Sequence, residues 1–146
     1  MKVEIYLKQG RLLDKRINYH LRKLGELRQA ACSLPVTVLS RDRVQTSPSG
    51  DAPFVRALLR VEEMQEQINR EIDMLVDLKH QIMDVIHQVD SNELQMLLVY
   101  KYLEGMTTEK IGMMLAVDKS TVKRWHKKAI EQIKLPEDVI ITKFRI

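Results

Sequence analysis

The middle of the chain carries its most regular hydrophobic pattern. From Phe54 to Val89 an apolar residue recurs at every seventh position, and further apolar residues flank this series at plus three or plus four. The spacing predicts one amphipathic helix over residues 53–89, about 55 Å long at ~1.5 Å per residue, with a seam like that of a coiled coil. Pro53 suits the first turn of such a helix. The width of the apolar stripe favours more than one partner helix.

A second amphipathic helix is predicted over residues 2–32. Its apolar positions are separated by threes, fours and a seven. These positions are Leu13, Ile17, Leu21, Leu24 and Ala31. The segment between the two helices, residues 33–52, is rich in Ser, Thr and Pro and is predicted to be a loop. Residues 1–89 are therefore predicted to form a long antiparallel helical hairpin.

Residues 90–135 contain start and stop signals for three short helices. A tight connection at Ala116 and Val117 separates the second helix from the third, which is expected over residues 119–134. Two short helices joined in this way are typical of the helix-turn-helix, whose second helix enters the major groove of DNA. The signals are Asp90 with Glu93 at the first start, Gly105 at the first end, Thr107 at the second start and Asp118 at the third.

The three short helices have apolar residues at helical spacing, which we predict to form the core of this domain. They are Leu94, Leu97, Leu98 and Tyr102, then Ile111, Met114 and Leu115, then Val122, Trp125, Ala129, Ile130 and Ile133. Residues 136–146 are expected to be a tail. Gly and Pro together number nine of 146 residues, and aromatic residues make up 5%. This composition favours an all-α fold, in which a coiled-coil-like hairpin precedes a C-terminal helix-turn-helix bundle.

Charge is segregated along the chain, although the formal net charge is only +4. Residues 2–32 carry eight basic and three acidic side chains, whereas residues 53–89 carry four basic and seven acidic ones. Opposite charges favour pairing of these helices within one chain or between two copies, so a homodimer stays open. Residues 118–134 carry six basic and two acidic side chains, which favours an acidic partner.

The candidate DNA-binding residues lie on the predicted third helix. When such a helix docks in a major groove, its first turns lie near the base edges and its later cations meet phosphates. The first group is Lys119, Ser120, Thr121, Lys123 and Arg124, and the second is Lys127 and Lys128. Double-stranded DNA is therefore the predicted partner.

Other classes of protein have little support in the sequence. No apolar run approaches the ~18 residues of a membrane-spanning helix, and no secretory signal opens the chain, so a cytoplasmic location without membrane contact is expected. Cys32 is the single cysteine, which excludes an internal disulfide and zinc sites of CxxC spacing. No nucleotide-binding or zinc-protease motif is present. Neither an enzyme nor a cofactor is predicted.

Histidines offer the remaining candidates for chemistry. Asp77, His80, Asp84 and His87 follow one another at helical spacing, but they lie on the side of the helix away from the seam. We interpret them as a solvated face rather than a metal site. His20 and His126 have no catalytic or metal-binding companions nearby in the sequence.

One string of residues in the C-terminal part matches a known pattern. It comprises Tyr102-Leu103-Glu104-Gly105-Met106-Thr107, then Glu109, Ile111 and Leu115, then Ser120-Thr121-Val122-Lys123-Arg124, and Ala129-Ile130. This string resembles sigma factor region four, which implies a helix-turn-helix whose second helix binds promoter DNA. Lys110, Gly112 and Asp118 depart from the usual pattern.

Further motifs extend a resemblance over nearly the whole chain. They are Glu4-Ile5-Tyr6-Leu7, Leu13-Asp14-Lys15-Arg16-Ile17, the loop from Asp42 to Pro48 and residues 66–79. The layout resembles small region-four-like proteins of phages and prophages of Gram-positive bacteria, similar to late-transcription activators of the RinA and ArpU kind. No part resembles sigma region two, so a complete sigma factor is not expected.

Three functions remain open at this stage. The resemblance and the basic third helix favour a sequence-specific DNA-binding transcription regulator. A second function is an adaptor that binds RNA polymerase, or another partner through the hairpin, without touching DNA. A third is a DNA-packaging component similar to a small terminase subunit, although the helix-turn-helix usually comes first in those subunits.

Overall fold

The structure is a computed structural model that describes residues 1–33 and 53–142. Five α-helices follow one another, and no strand occurs in the described residues. They are α1 (Val3–Cys32), α2 (Pro53–Ile86), α3 (Asn92–Leu98), which continues into a π-helical turn (Val99–Leu103), α4 (Thr108–Leu115) and α5 (Lys119–Glu131). The predicted all-α fold, a helical hairpin followed by a helix-turn-helix, is confirmed. Apart from Ser33, the predicted loop lies outside the described residues.

No helix within residues 1–33 and 53–142 is both long enough and apolar enough to span a lipid bilayer.

One of two compact bodies of the chain is Arg16–Asp73, in which α1 and α2 pack against each other. Arg28 Nη2 donates to Gln65 Oε1 at 2.7 Å, whereas Arg16 bonds to Glu71 farther along α2. The partners of successive α1 residues thus run backwards along α2, so the helices are antiparallel. Ile17, Leu24, Ala31 and Ile68 are buried in the interface between them.

The buried positions of α1 alternate by four and three residues, and this register corrects one prediction. Ile17 and Leu24 are buried, and the residue between them that faces the other helix is the half-buried His20. Leu21 lies one residue past this position and is 44% exposed, so its prediction as a core residue was wrong.

A polar cluster occupies the seam at this level. Glu71 lies three residues after Ile68, at a position of the seam that is apolar elsewhere along α2. Only 9% of Glu71 is exposed. Its Oε2 lies 2.8 Å from His20 Nδ1, and its Oε1 accepts a hydrogen bond of 3.1 Å from Arg16 Nε. His20 therefore has an acidic partner on the other helix, 51 residues away in the sequence.

The other compact body joins Met1–Lys15 with Met74–Ile146. It contains the first 13 residues of α1, the last 13 residues of α2 and the three short helices. Fully buried residues of this body include Leu7, Leu78, Ile82, Ile86, Leu97, Leu98 and Ile111. Most of the core predicted for residues 90–135 is buried or half-buried, but Met114 is 53% exposed and that prediction was wrong.

The residue two positions after the π-helical turn adopts the left-handed conformation predicted for it. Gly105 has φ +68°. Against its Cα lies the guanidinium of Arg11 from α1, so close that a Cβ at this position would collide with it. The backbone angle favours a glycine here, whereas the flexible end of the Arg11 side chain could move away from a Cβ.

The caps of the short helices agree with prediction except at the first start. Thr107 Oγ1 accepts from the amide of Lys110 at 3.3 Å, which confirms the cap of α4. Asp118 holds the N-cap position of α5, although its side chain makes no capping bond. The N-cap of α3 is Ser91 rather than Asp90, and its hydroxyl donates to Glu93 Oε2 at 3.3 Å.

Gly112 is buried within α4 at the point where the chain turns back. A Cβ built on it would lie 2.8 Å from the carbonyl oxygen of Val117. Because that neighbour is backbone, an alanine here requires the turn to move. Gly112→Ala is therefore expected to lower the free energy of unfolding by about 1–2 kcal/mol, despite the higher helix propensity of alanine.

Chemical denaturation followed by circular dichroism measures this effect. Gly25→Ala is the matched control, because a Cβ at Gly25 meets no atom within 4 Å. This exposed helical glycine should gain stability on the same replacement, by up to about 1 kcal/mol. A gain of similar size at both positions would contradict the prediction.

Candidate nucleic-acid interface

The two long sides of α5 differ sharply in polarity. Val122 and Ala129 are buried against the rest of the domain. The predicted DNA-binding side chains lie on the other side, where all are exposed except Thr121, which is half-buried: Lys119, Ser120, Thr121, Lys123, Arg124, Lys127 and Lys128. Five of these seven carry a positive charge, so α5 presents a cationic face with two hydroxyls near its N-terminus.

The turn before α5 fixes the direction of this face. Ala116 adopts the left-handed conformation with φ +55°, and the amide of Val117 donates to the carbonyl of Gly112 at 2.9 Å. These contacts end α4 and reverse the chain within a few residues. Helix α5 begins directly after Asp118. Its first residues are exposed, so its first turn is accessible to a large partner.

An ion pair joins the first residue of α5 to α4. Lys119 Nζ lies 3.2 Å from Glu109 Oε1, and the two side chains are 54% and 74% exposed. Exposed pairs of this kind contribute little to stability and are screened by salt. Lys119 can therefore leave Glu109 for a phosphate at small cost.

The inner side of α5 is held by a hydrogen bond that sequence analysis missed. His126 Nε2 lies 2.6 Å from the hydroxyl of Tyr102, which belongs to the π-helical turn. Tyr102 is buried and His126 is half-buried. The signal in the sequence is weak: His126 lies four residues after the buried Val122, and a histidine there is compatible with either core or surface.

The surroundings of this pair favour neutral side chains. Burial lowers the pKa of His126, the positive charges of Lys101 and Lys8 add to this effect, and Glu4 opposes it. Burial, with the negative charge of Glu4, raises the pKa of Tyr102. Both groups are uncharged at neutral pH, which suits a structural bond rather than proton transfer.

Acid is expected to destabilise this part of the molecule through His126. Because the folded-state pKa lies below the value of about 6.5 in unfolded chains, the unfolded state takes up the proton first. The contribution of His126 is thus fully present above pH ~6.5 and is lost as the pH falls toward the folded-state pKa. Urea unfolding between about pH 7.5 and 5 should show this loss.

The control variant is His126→Gln, which keeps a hydrogen-bond acceptor for Tyr102 but does not titrate. Its free energy of unfolding should depend less steeply on pH over the same interval. Equal pH dependence in both proteins would assign the acid sensitivity to other groups.

Asp77, His80 and Asp84 are exposed on α2, and His87 is exposed in the turn after it, which agrees with their interpretation as a solvated face. Among residues 1–33 and 53–142, no three His, Cys, Asp or Glu side chains are placed to hold a metal ion.

Comparison with known protein families identifies the architecture of the C-terminal region. The family model of sigma-70, region 4, matches residues 85–135. No curated protein and no solved structure gave a significant match. The matched segment contains α3, α4 and α5 and ends just after the cationic helix. Residues 85–135 therefore form a sigma-region-4-like helix-turn-helix, a DNA-binding class of domain.

Proposed function

We propose that the protein is a sequence-specific transcription regulator that reads the major groove of duplex DNA with α5. The observation that carries this proposal is the exposed cationic face of α5 within a region-4-like helix-turn-helix. Phosphate contacts from such a face supply affinity, and side chains near the helix start supply specificity.

The proposed roles follow from position along α5. Its 13 residues span about 20 Å at ~1.5 Å per residue, so only the first turns reach base edges when the helix enters a groove. Base-edge contacts are assigned to the first turns and phosphate contacts to the cations that follow. The first set is Lys119, Ser120, Thr121, Lys123 and Arg124, and the second is Lys127 and Lys128.

The hairpin is assigned a role in binding other proteins. We propose that the hairpin of residues 1–89 mediates self-association or contact with RNA polymerase, whereas residues 90–135 bind DNA. Apolar side chains left exposed on the hairpin, including Leu58, Leu59 and Ile72, support a partner for it. A phage or prophage origin and a cytoplasmic location belong to the same proposal and rest on the resemblance described above.

An adaptor function without DNA contact has one observation in its favour. Met113 is 82% exposed and Met114 is 53% exposed on α4, and exposed methionines suit adaptable contacts with another protein. Met113 lines the same surface pocket as Glu109 and Lys119, so a protein docked there would cover the start of α5. The adaptor function therefore remains the second candidate.

Selection of random duplexes by the purified full-length protein tests the proposal. An enriched motif is expected, and a palindromic motif would indicate binding as a dimer. Absence of enrichment at low salt, combined with retention of RNA polymerase in a pull-down, would overturn the proposal in favour of the adaptor. A ring-like oligomer in light scattering would instead favour the packaging component.

A replacement of Glu109 allows a second test, which is directed at a single residue beside α5. Its negative charge lies beside Lys119 at the start of the proposed DNA-binding helix and repels the polyanion, so Glu109→Gln should raise the affinity for duplex DNA about three- to tenfold at low salt. Fluorescence anisotropy with a selected duplex measures the change. Glu137→Gln removes the same charge from an exposed position outside α5 and should have little effect. A loss of affinity in Glu109→Gln would show that Lys119 needs its partner in order to bind.

A further inference from the structure

The segment that follows α5 is irregular, with a turn at Glu137 and Asp138, and three glutamine side chains bond to its backbone. Gln88 Nε2 donates to the carbonyl oxygen of Lys134 at 2.9 Å, and Gln88 Oε1 accepts from the amide of the same residue at 3.0 Å. One side-chain amide thus pairs with both backbone groups of one residue, as an opposed residue of an antiparallel strand does.

Two more glutamines continue this arrangement toward the C-terminus. Gln81 donates to the carbonyl of Asp138 at 3.1 Å and accepts from the amide of Ile140 at 2.9 Å. Gln9 of α1 donates to the carbonyl of Ile140 at 3.0 Å and accepts from the amide of Thr142 at 2.8 Å. Each amide therefore bridges a carbonyl and the amide two residues later, which is the pattern offered by a residue of a parallel strand.

Two of the three glutamines also bond to Tyr6 of α1. The hydroxyl of Tyr6 donates to Gln81 Oε1 at 2.7 Å, and Gln9 Nε2 also donates to the carbonyl of Tyr6 at 3.3 Å. Gln9 is only 5% exposed. These bonds within α1 and between α1 and α2 limit the rotation of the two side-chain amides, which lowers the entropy lost when they bond to a peptide backbone.

The backbone of the segment is well hydrogen-bonded, but its side chains have few contacts with the rest of the domain. Ile141 is 54% exposed, and Val139 and Ile140 are only half-buried. A cavity of about 290 Å³ lies between α2 and the segment, with Pro136 and Asp84 among its lining residues. A chain held by hydrogen bonds over a cavity, with few apolar contacts, is of the kind that opens locally while the rest of a protein stays folded.

We propose that the groove formed by α1 and α2 is a peptide-binding site and that the segment Lys134–Thr142 is its detachable ligand. The glutamines recognise backbone groups, so the same segment from a second copy of the chain fits the groove equally well. In the intact protein the attached segment is present at a high effective concentration and excludes the other copy. Detachment of the segment makes the groove available. This site is separate from the cationic face of α5, and the proposal does not depend on DNA binding.

Hydrogen exchange of the unmodified full-length protein gives the first test. The amides of Lys134, Ile140 and Thr142 should be protected and should exchange together, faster than the core amides of α2. Exchange of these three amides only at the rate of the α2 core would mean that the segment separates by global unfolding alone, and that result would overturn the proposal.

Peptide binding gives the second test. The probe is a fluorescein-labelled peptide with the sequence of residues 133–142, and anisotropy reports its binding. Paired Ile140→Pro and Thr142→Pro replacements in the full chain remove the two amides that donate to Gln81 and Gln9. This variant should bind the peptide at least tenfold more tightly than the unmodified chain, because the attached segment no longer competes.

Two controls separate backbone recognition from general disturbance. Ile141→Pro removes an amide that none of the glutamines contacts, so this variant should bind the peptide as weakly as the unmodified chain. Adding Gln9→Leu and Gln81→Leu to the paired proline variant should abolish binding. Equal binding by the paired proline variant and the unmodified chain, or binding that survives loss of both glutamines, would overturn the proposal.

Discussion

Replacing Lys123, Arg124 and Lys127 together by alanine is expected to lower the affinity for a selected duplex by on the order of 10³-fold. Each base or phosphate contact of this kind contributes about 1–3 kcal/mol to binding. The three side chains are exposed on the outer face of α5, so their removal should leave the fold intact. Anisotropy titrations at several salt concentrations measure both the affinity and its salt dependence.

The salt dependence separates the roles of the three cations. Removal of one cation that binds a phosphate should reduce the slope of log K against log salt by about 0.9, whereas removal of a side chain that binds a base relaxes sequence preference. Single replacements should therefore differ, with the larger slope change at Lys127 and the larger loss of specificity at Arg124. Lys15→Ala, at an exposed position on α1, is the matched control for the loss of one positive charge. Unchanged affinity and slope in all three single variants would contradict DNA binding by α5.

Replacing Glu71 by leucine is expected to lower the free energy of unfolding by about 2–4 kcal/mol. The change leaves His20 in a largely buried position without the carboxylate that lies 2.8 Å away. Breaking a buried pair from one side is costly, whereas replacing both partners by apolar residues is often neutral or stabilising. The double variant with His20→Leu and Glu71→Leu should therefore regain most of the loss.

A double-mutant cycle by chemical denaturation measures this coupling, which we expect to be about 1–3 kcal/mol. Glu66→Leu, at an exposed position on the same helix, should change stability by only about 0.5 kcal/mol. Strictly additive effects of the two leucine replacements would show that the pair contributes nothing as a unit. The double variant should also populate more than one oligomeric state in light scattering, since a lone polar layer in an apolar seam fixes helix register.

The apolar seam of the hairpin was predictable because spacing alone determines it. Ile68, Leu75, Ile82 and Val89 recur at sevens and are all buried. A one-dimensional pattern is sufficient here because every seventh residue of a helix returns to nearly the same side. The cationic face of α5 was predictable for the same reason, since its apolar and basic residues separate at helical spacing.

Pairings across helices were not predictable from spacing. Glu71 occupies a seam position, but a search for apolar repeats passes over it, and its contact with His20 depends on the register of α1 against α2. The glutamine contacts with the C-terminal segment leave no periodic signal at all. Met114 fits an amphipathic pattern within α4, yet the buried side of that helix is defined by Ile111 and Gly112, and Met114 lies to one side of it.

The compact body that contains the helix-turn-helix is built from the beginning and the end of the described chain, with residues 16–73 excluded from it. During synthesis, the first fifteen residues are made long before their partners in α2–α5. Contacts of such high sequence separation are slow to form, because the chain between them must lose its freedom first. This body is therefore expected to form late in folding, and a deletion within residues 1–15 would disturb the helix-turn-helix although these residues are distant from it in the sequence.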